Sequence, residues 1–185
     1  MDVFTAFGLS ASAGLNAYIP LLVVSLIARF TNLIELSDSW STLESWWVIG
    51  LLVILSIIEF FADKVPAVNH INDIVQTFVR PVAGAIVFAA SSSVAEIHPV
   101  LAMLAGLLIA GGVHAAKAAA VRPAVTATTA GAGNVPVSIL EDIVSTILSI
   151  LAIVIPVLIA AIVILATSLL IWWMWRRANR DSLGK

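Results

Sequence analysis

The chain has no cysteine, which removes disulfide scaffolds, iron–sulfur clusters, thiol nucleophiles and Cys-bound zinc from consideration. Charge is scarce as well: 9 Lys+Arg and 11 Asp+Glu make up 11% of 185 residues, where soluble domains carry roughly a quarter. A basic tract is missing, and the net charge is −2. Nucleic acid is therefore not an expected partner, because its affinity rests on clustered Lys and Arg. No Lys or Arg precedes the first apolar stretch, which runs from Phe4 to about Phe30. That stretch is too long for the core of a cleaved signal peptide and reads as a retained first span.

Apolar residues are what the chain has in excess. They make up 61% of it, and their uninterrupted runs match the length that a bilayer demands of spanning helices. The fold class expected is all-α, a polytopic transmembrane helix bundle in one integral membrane domain over 1–185, with the lipid bilayer as its surroundings. Spans are expected at about 4–29, 46–63, 72–94, 99–121, 137–155 and 157–175. Val137 to Trp175 would make about 58 Å of helix, far beyond the hydrocarbon core of about 30 Å. The chain is therefore expected to turn near Pro156, or to tilt and kink there.

Basic residues collect in cytoplasmic loops. Arg176, Arg177, Arg180 and Lys185 lie in the tail, and six spans place Lys64, Lys117 and Arg122 on the same side as that tail. Both termini are then cytoplasmic and loop 30–45 is outside. Trp40, Trp46 and Trp47 would mark the outer interface, and Trp172, Trp173 and Trp175 the inner one, where indoles prefer to sit.

Two short self-similarities suggest a three-plus-three inverted repeat: Ala13–Ala17 resembles Gly111–Ala115, and Ser56–Glu59 resembles Ser138–Glu141. A third, Asp73–Thr77 with Asp142–Thr146, pairs different spans. Inverted repeats bring discontinuous helices together near the midplane, where transporters place their sites.

Polar residues at membrane depth are the candidate site. Gly14, Asn16, Tyr18 and Pro20 crowd the middle of span one, and Pro20 deprives the Asn16 carbonyl of its helical partner. Local unwinding there could hold a cation or polar solute; a plain proline kink with Asn16 bonded to a neighbouring helix is the other reading. Glu59, Asp63, Lys64, His70, Asp73 and Arg80 surround spans two and three, and His114, Lys117, Arg122, Glu141 and Asp142 surround spans four and five. Such groups face the interior and pair, either as structural salt bridges or along a solute pathway. Lys117 is expected to pair with a carboxylate from span two, three or five, with Glu59 and Asp73 the leading candidates. Glu59, Asp63, His70 and His114 match no specific metal motif, and no cofactor is expected.

The stretch 123–136 is uncharged and rich in Thr, Gly and Ala. Its composition fits either a re-entrant loop, with Asn134 and the threonines lining a polar cavity beside the broken span one, or a surface loop. The small-residue row Ala102, Gly106 and Ala110, leading to His114, would let helices approach closely within the bundle or across a homodimer. Span six, Val157 to Trp175, should face lipid.

Gly14–Leu21, Glu59–Pro66 continuing to Arg80–Gly84, and His114–Lys117 with Arg122–Ala124 resemble a family of small bacterial membrane proteins classed as a domain of unknown function, number four-one-two-six. The resemblance covers nearly the whole chain. It implies a multi-pass protein of the bacterial cytoplasmic membrane and assigns no activity. The residues themselves favour a permease or channel for an ion or small polar solute over a non-transporting scaffold or partner subunit. An enzyme is not expected, since no nucleophile–base pair or metal signature is visible.

Overall fold

The computed structural model describes residues 3–64, 66–91 and 97–182, and over 66–70, 157–171, 173–175 and 177–182 the backbone only. The order is α1 (Val3–Leu15), α2 (Tyr18–Phe30), a 3-10 helix (Asp38–Glu44), α3 (Trp46–Ala62), α4 (Pro66–Ala90), α5 (Pro99–Ala116), a π-helical turn (Lys117–Val121), α6 (Arg122–Thr129) and α7 (Asn134–Ser182). The fold is all-α, and the only β pairing among the described residues is a bridge between Leu36 and Ser91. Met1–Ile153 form one compact unit and Val154–Lys185 a second.

The first unit is organised by small residues. Helices α1, α4 and α5 pack on one another, and the row Ala102, Gly106, Ala110 and His114 is the buried face of α5. This row is occupied within the chain. Gly84 and Gly106 abut, and a Cβ on Gly14 would come within 2.6 Å of both the Ala110 carbonyl oxygen and Val113 Cβ. Backbones this close gain van der Waals contact that larger side chains would block. Ser10 Oγ donates to the Gly84 carbonyl at 3.0 Å, and Ser12 Oγ lies 2.8 Å from the hydroxyls of both Ser145 and Ser149 on α7. Outward faces are apolar instead: Ile54, Ile58, Ile74, Phe78, Leu104, Leu108, Ile143 and Ile147 are exposed, as a lipid-facing surface requires.

Among the described residues, three helical stretches are long and apolar enough to cross a membrane: Ile71–Ala90, Pro99–Thr129 and Asn134–Pro156. A fourth arises if the 3-10 helix and α3, bent by 61°, count as one span. Span one is not among them for a definite reason. The apolar run 4–29 is divided at Asn16 into two helices of 13 residues. Backbone 157–175 is helical, but the lipid-facing expectation for it lies outside the described side chains, as do the expectations for His70, residues 92–94, Trp173 and Trp175, and the tail residues Arg177, Arg180 and Lys185.

One expectation is corrected and one alternative is decided. Residues 123–136 are largely helical: α6 reaches Thr129, and the chain turns through Ala130 (φ 51°) and Gly131 (φ 89°) before α7 starts at Asn134. Ala and Thr after an N-terminal proline can continue a helix, and the glycines supply the left-handed turn that ends it. Of the two courses expected near Pro156, a turn or a continuing helix, the backbone takes the helical one, with Pro156 inside α7. One lost amide donor kinks a helix without having to end it.

Candidate functional site

Three backbone irregularities lie beside the charged residues. The first is the break after Leu15. The Asn16 Oδ1 accepts hydrogen bonds from the Tyr18 and Ile19 amides at 3.1 and 3.0 Å, satisfying donors at the start of α2 as an N-cap does. Its Nδ2 donates to Asp142 Oδ1 at 3.0 Å. On the other side of the break, the Leu15 carbonyl accepts from Lys117 Nζ at 3.3 Å. Both helix ends at the break are thus held by side chains. The second irregularity is the π-turn that opens at Lys117, a wide turn of the kind frequent at functional sites. The third is Pro81 inside α4, directly after Arg80.

Around these points runs a buried ion network. Arg80 Nη2 donates to Glu59 Oε1 at 3.0 Å and lies 3.8 Å from Asp63. Lys117 pairs with Glu141 at 2.8 Å. Arg122 meets Glu141 at 3.5 Å, Asp63 at 3.8 Å and Asp73 at 3.9 Å, and Lys64 meets Asp142 at 3.4 Å. Asp63 also accepts from Asn72 Nδ2 at 2.5 Å and from Ser138 Oγ at 3.1 Å. Burying these charges is costly unless they pair and hydrogen-bond in this way.

His114 connects two arms of the network. Its Nδ1 lies 3.3 Å from Arg80 Nη1. A guanidinium has donors only, so Nδ1 accepts and the ring proton sits on Nε2. From there it donates to Thr77 Oγ1 at 3.2 Å, whose hydroxyl donates to the Asp73 carbonyl at 2.8 Å.

Three cavities adjoin the network. The largest, about 680 Å³, lies between Asp63, Lys64, Asp73 and Arg122 on one side and Thr126 and Asn134 on the other. A second, about 350 Å³, has Asn16 and Asp142 among apolar walls of Ile19, Ile57, Phe60 and Phe61. The smallest, about 90 Å³, touches Asp73, Thr77, His114, Lys117 and Arg122. The segment 123–136 thus contributes Thr126 and Asn134 to the largest of these cavities. Asn16, however, lines a different one.

Of the residues read from sequence as a site, Asn16, Glu59, Asp63, Lys64, Asp73, His114, Lys117, Arg122, Glu141 and Asp142 come together. Tyr18 packs against the hydrophobic core, and its hydroxyl hydrogen-bonds with Gln76 close to Glu59 and Arg80. Asn134 is outside the ion network but, as the first residue of α7, lines the largest cavity with it, hydrogen-bonded to Thr126 at 3.2 Å. Lys117 does take a carboxylate from one of the expected spans, Glu141 of span five, and neither of the two leading candidates, Glu59 and Asp73. Glu59 is held by Arg80. Arg80, expected among the charges around spans two and three, belongs to the network, and so does Ser138, which was not expected there. Arg80 had a signal, a full charge inside an apolar run next to proline; Ser138 had none. Among the described residues, no group of three His, Asp or Glu is arranged to hold a metal ion.

No match was found among curated proteins or among solved structures. Residues 3–177 match the model of the domain of unknown function DUF4126, and the chain belongs to that family.

Proposed function

We propose that this chain is a small permease or channel for an ion or small polar solute, in the bacterial cytoplasmic membrane with both termini inside. The observation that carries this reading is the break at Leu15–Ala17, whose open ends are held by Lys117 and by Asn16 with Asp142. Non-helical backbone is tolerated at membrane depth where it lines a cavity or is buried in protein, and discontinuous helices are where transporters place their sites. Here the break lines the 350 Å³ cavity, and the same charged network reaches the 680 Å³ cavity through Asp63, Lys64 and Arg122. Binding and passage of a solute need such polar space between helices; an enzymatic reading has no comparable support.

A second reading is favoured by one specific observation. Every charge in the network has an opposite charge within 4.0 Å, which is what a scaffold that uses ion pairs only to fix helix packing would show. Flux into proteoliposomes across a panel of ions and small metabolites separates the two. Uptake above empty liposomes that falls in the Lys117→Met variant supports the permease, and no uptake of any panel member supports the scaffold.

A further inference from the structure

Resting on the transport reading for the assignment of the site, we infer that the 680 Å³ cavity takes a small organic cation, a protonated amine with a short apolar body, whose ammonium group sits on Asp73. The charge balance around the cavity carries this. Lys64, Arg80, Lys117 and Arg122 face Glu59, Asp63, Glu141 and Asp142, and none of these eight side chains is more than 16% exposed. Those eight charges cancel. Asp73 is the fifth carboxylate; it lines the cavity and its side chain is 37% exposed. Its neighbour Arg122, 3.9 Å away, is shared with Asp63 and Glu141. Among the described residues the surplus charge is therefore negative, and it lies on the carboxylate that a ligand in the cavity can reach.

An anion would find no matching surplus. Lys64 lines the cavity too, but its ammonium donates to the Phe60 carbonyl at 2.8 Å, lies 3.3 Å from the Phe60 ring centroid and pairs with Asp142. Drawing Lys64 or Arg122 toward an anion would leave buried carboxylates uncompensated, which is costly. The rest of the lining includes the apolar Pro123, Ala127, Ala130 and Val135. Thr126 and Asn134 bond to each other there. A cavity of this size fits an organic molecule better than a bare metal ion, and one reachable charge on an apolar wall fits a monoamine.

The test uses the full chain in lipid nanodiscs, with ligand-observed NMR against empty nanodiscs near neutral pH. The probes are ethylammonium, propylammonium and butylammonium, with butyrate and 1-butanol as matched controls. At least one amine should bind, and butyrate and butanol should bind about tenfold more weakly or not at all, as expected for loss of a charge-assisted contact. Asp73→Asn should lose about the same factor while Asp73→Glu keeps binding. The exposure of Asp73 lets both variants fold, which their thermal unfolding verifies. Butyrate binding as well as butylammonium, no binding by any of the amines, or unchanged amine binding in a folded Asp73→Asn variant each overturns the inference. Amine binding without flux in proteoliposomes overturns the transport reading and leaves this one standing; flux of another solute without amine binding does the reverse.

Discussion

The Nζ of Lys117 donates to the carbonyl oxygen of Leu15 across 3.3 Å, so a lysine at the start of one irregular turn holds the open end of another helix 102 residues earlier in the chain. The same ammonium pairs with Glu141 at 2.8 Å. One cation thereby ties α1, the π-turn after α5 and α7 together at the point where α1 stops.

Lys117→Met is accordingly expected to destabilise the protein by about 3–5 kcal/mol, because Glu141 loses a buried partner and the Leu15 carbonyl loses a donor. The double variant Lys117→Met/Glu141→Gln should recover part of this loss, since it leaves no carboxylate uncompensated. Thermal unfolding in detergent checks both. A single variant as stable as the parent would mean that the ammonium reaches water.

Asn16→Ala removes the acceptor for two amides at the start of α2 and the donor to Asp142. The expected loss is about 1–2 kcal/mol, the upper range for a helix N-cap. Asn16→Asp keeps the cap but sets a second carboxylate against Asp142, and is expected to be the less stable of the two. Unfolding midpoints measured side by side test this order.

Glycines separate into two kinds. At Gly106 an added Cβ would lie 2.6 Å from Phe88 Cβ and run into the Gly84 carbonyl, whereas at Gly112 nothing lies within 4 Å. Gly106→Ala should therefore destabilise by about 1–3 kcal/mol through overpacking. Gly112→Ala, in the same helix, should be neutral or stabilise by up to about 1 kcal/mol. Equal effects at the two positions would contradict the close packing of α4 on α5.

The proposed topology has its own measurement. Cysteines introduced singly as Ser37→Cys and Ser182→Cys into this cysteine-free chain are expected to label from opposite sides with a membrane-impermeant reagent. Labelling of both from one side would overturn the orientation with both termini inside.

Composition and run length by themselves determined that the protein is an all-α helical chain with helices suited to a membrane, because a backbone in hydrocarbon must satisfy its own hydrogen bonds and 61% apolar residues leave few alternatives. The weak point in span one was legible too. Pro20 removes the amide that would serve the Asn16 carbonyl, and the helix does break at Asn16. The row Ala102, Gly106, Ala110 and His114 was readable as a packing face because its spacing of four residues follows the helix.

Partners were decided by the tertiary structure. Sequence placed carboxylates of spans two, three and five within reach of Lys117, with Glu59 and Asp73 foremost, and the choice of Glu141 depends on the π-turn at Lys117 and on Arg80 having taken Glu59. Neither is encoded in local spacing. The helical course of 122–129 was likewise hidden behind Thr and Gly, whose loop preference is weak enough for continuation of α5 to override. Local patterns fix which groups must be satisfied; which distant group satisfies each one is set only when α1, α4, α5 and α7 pack.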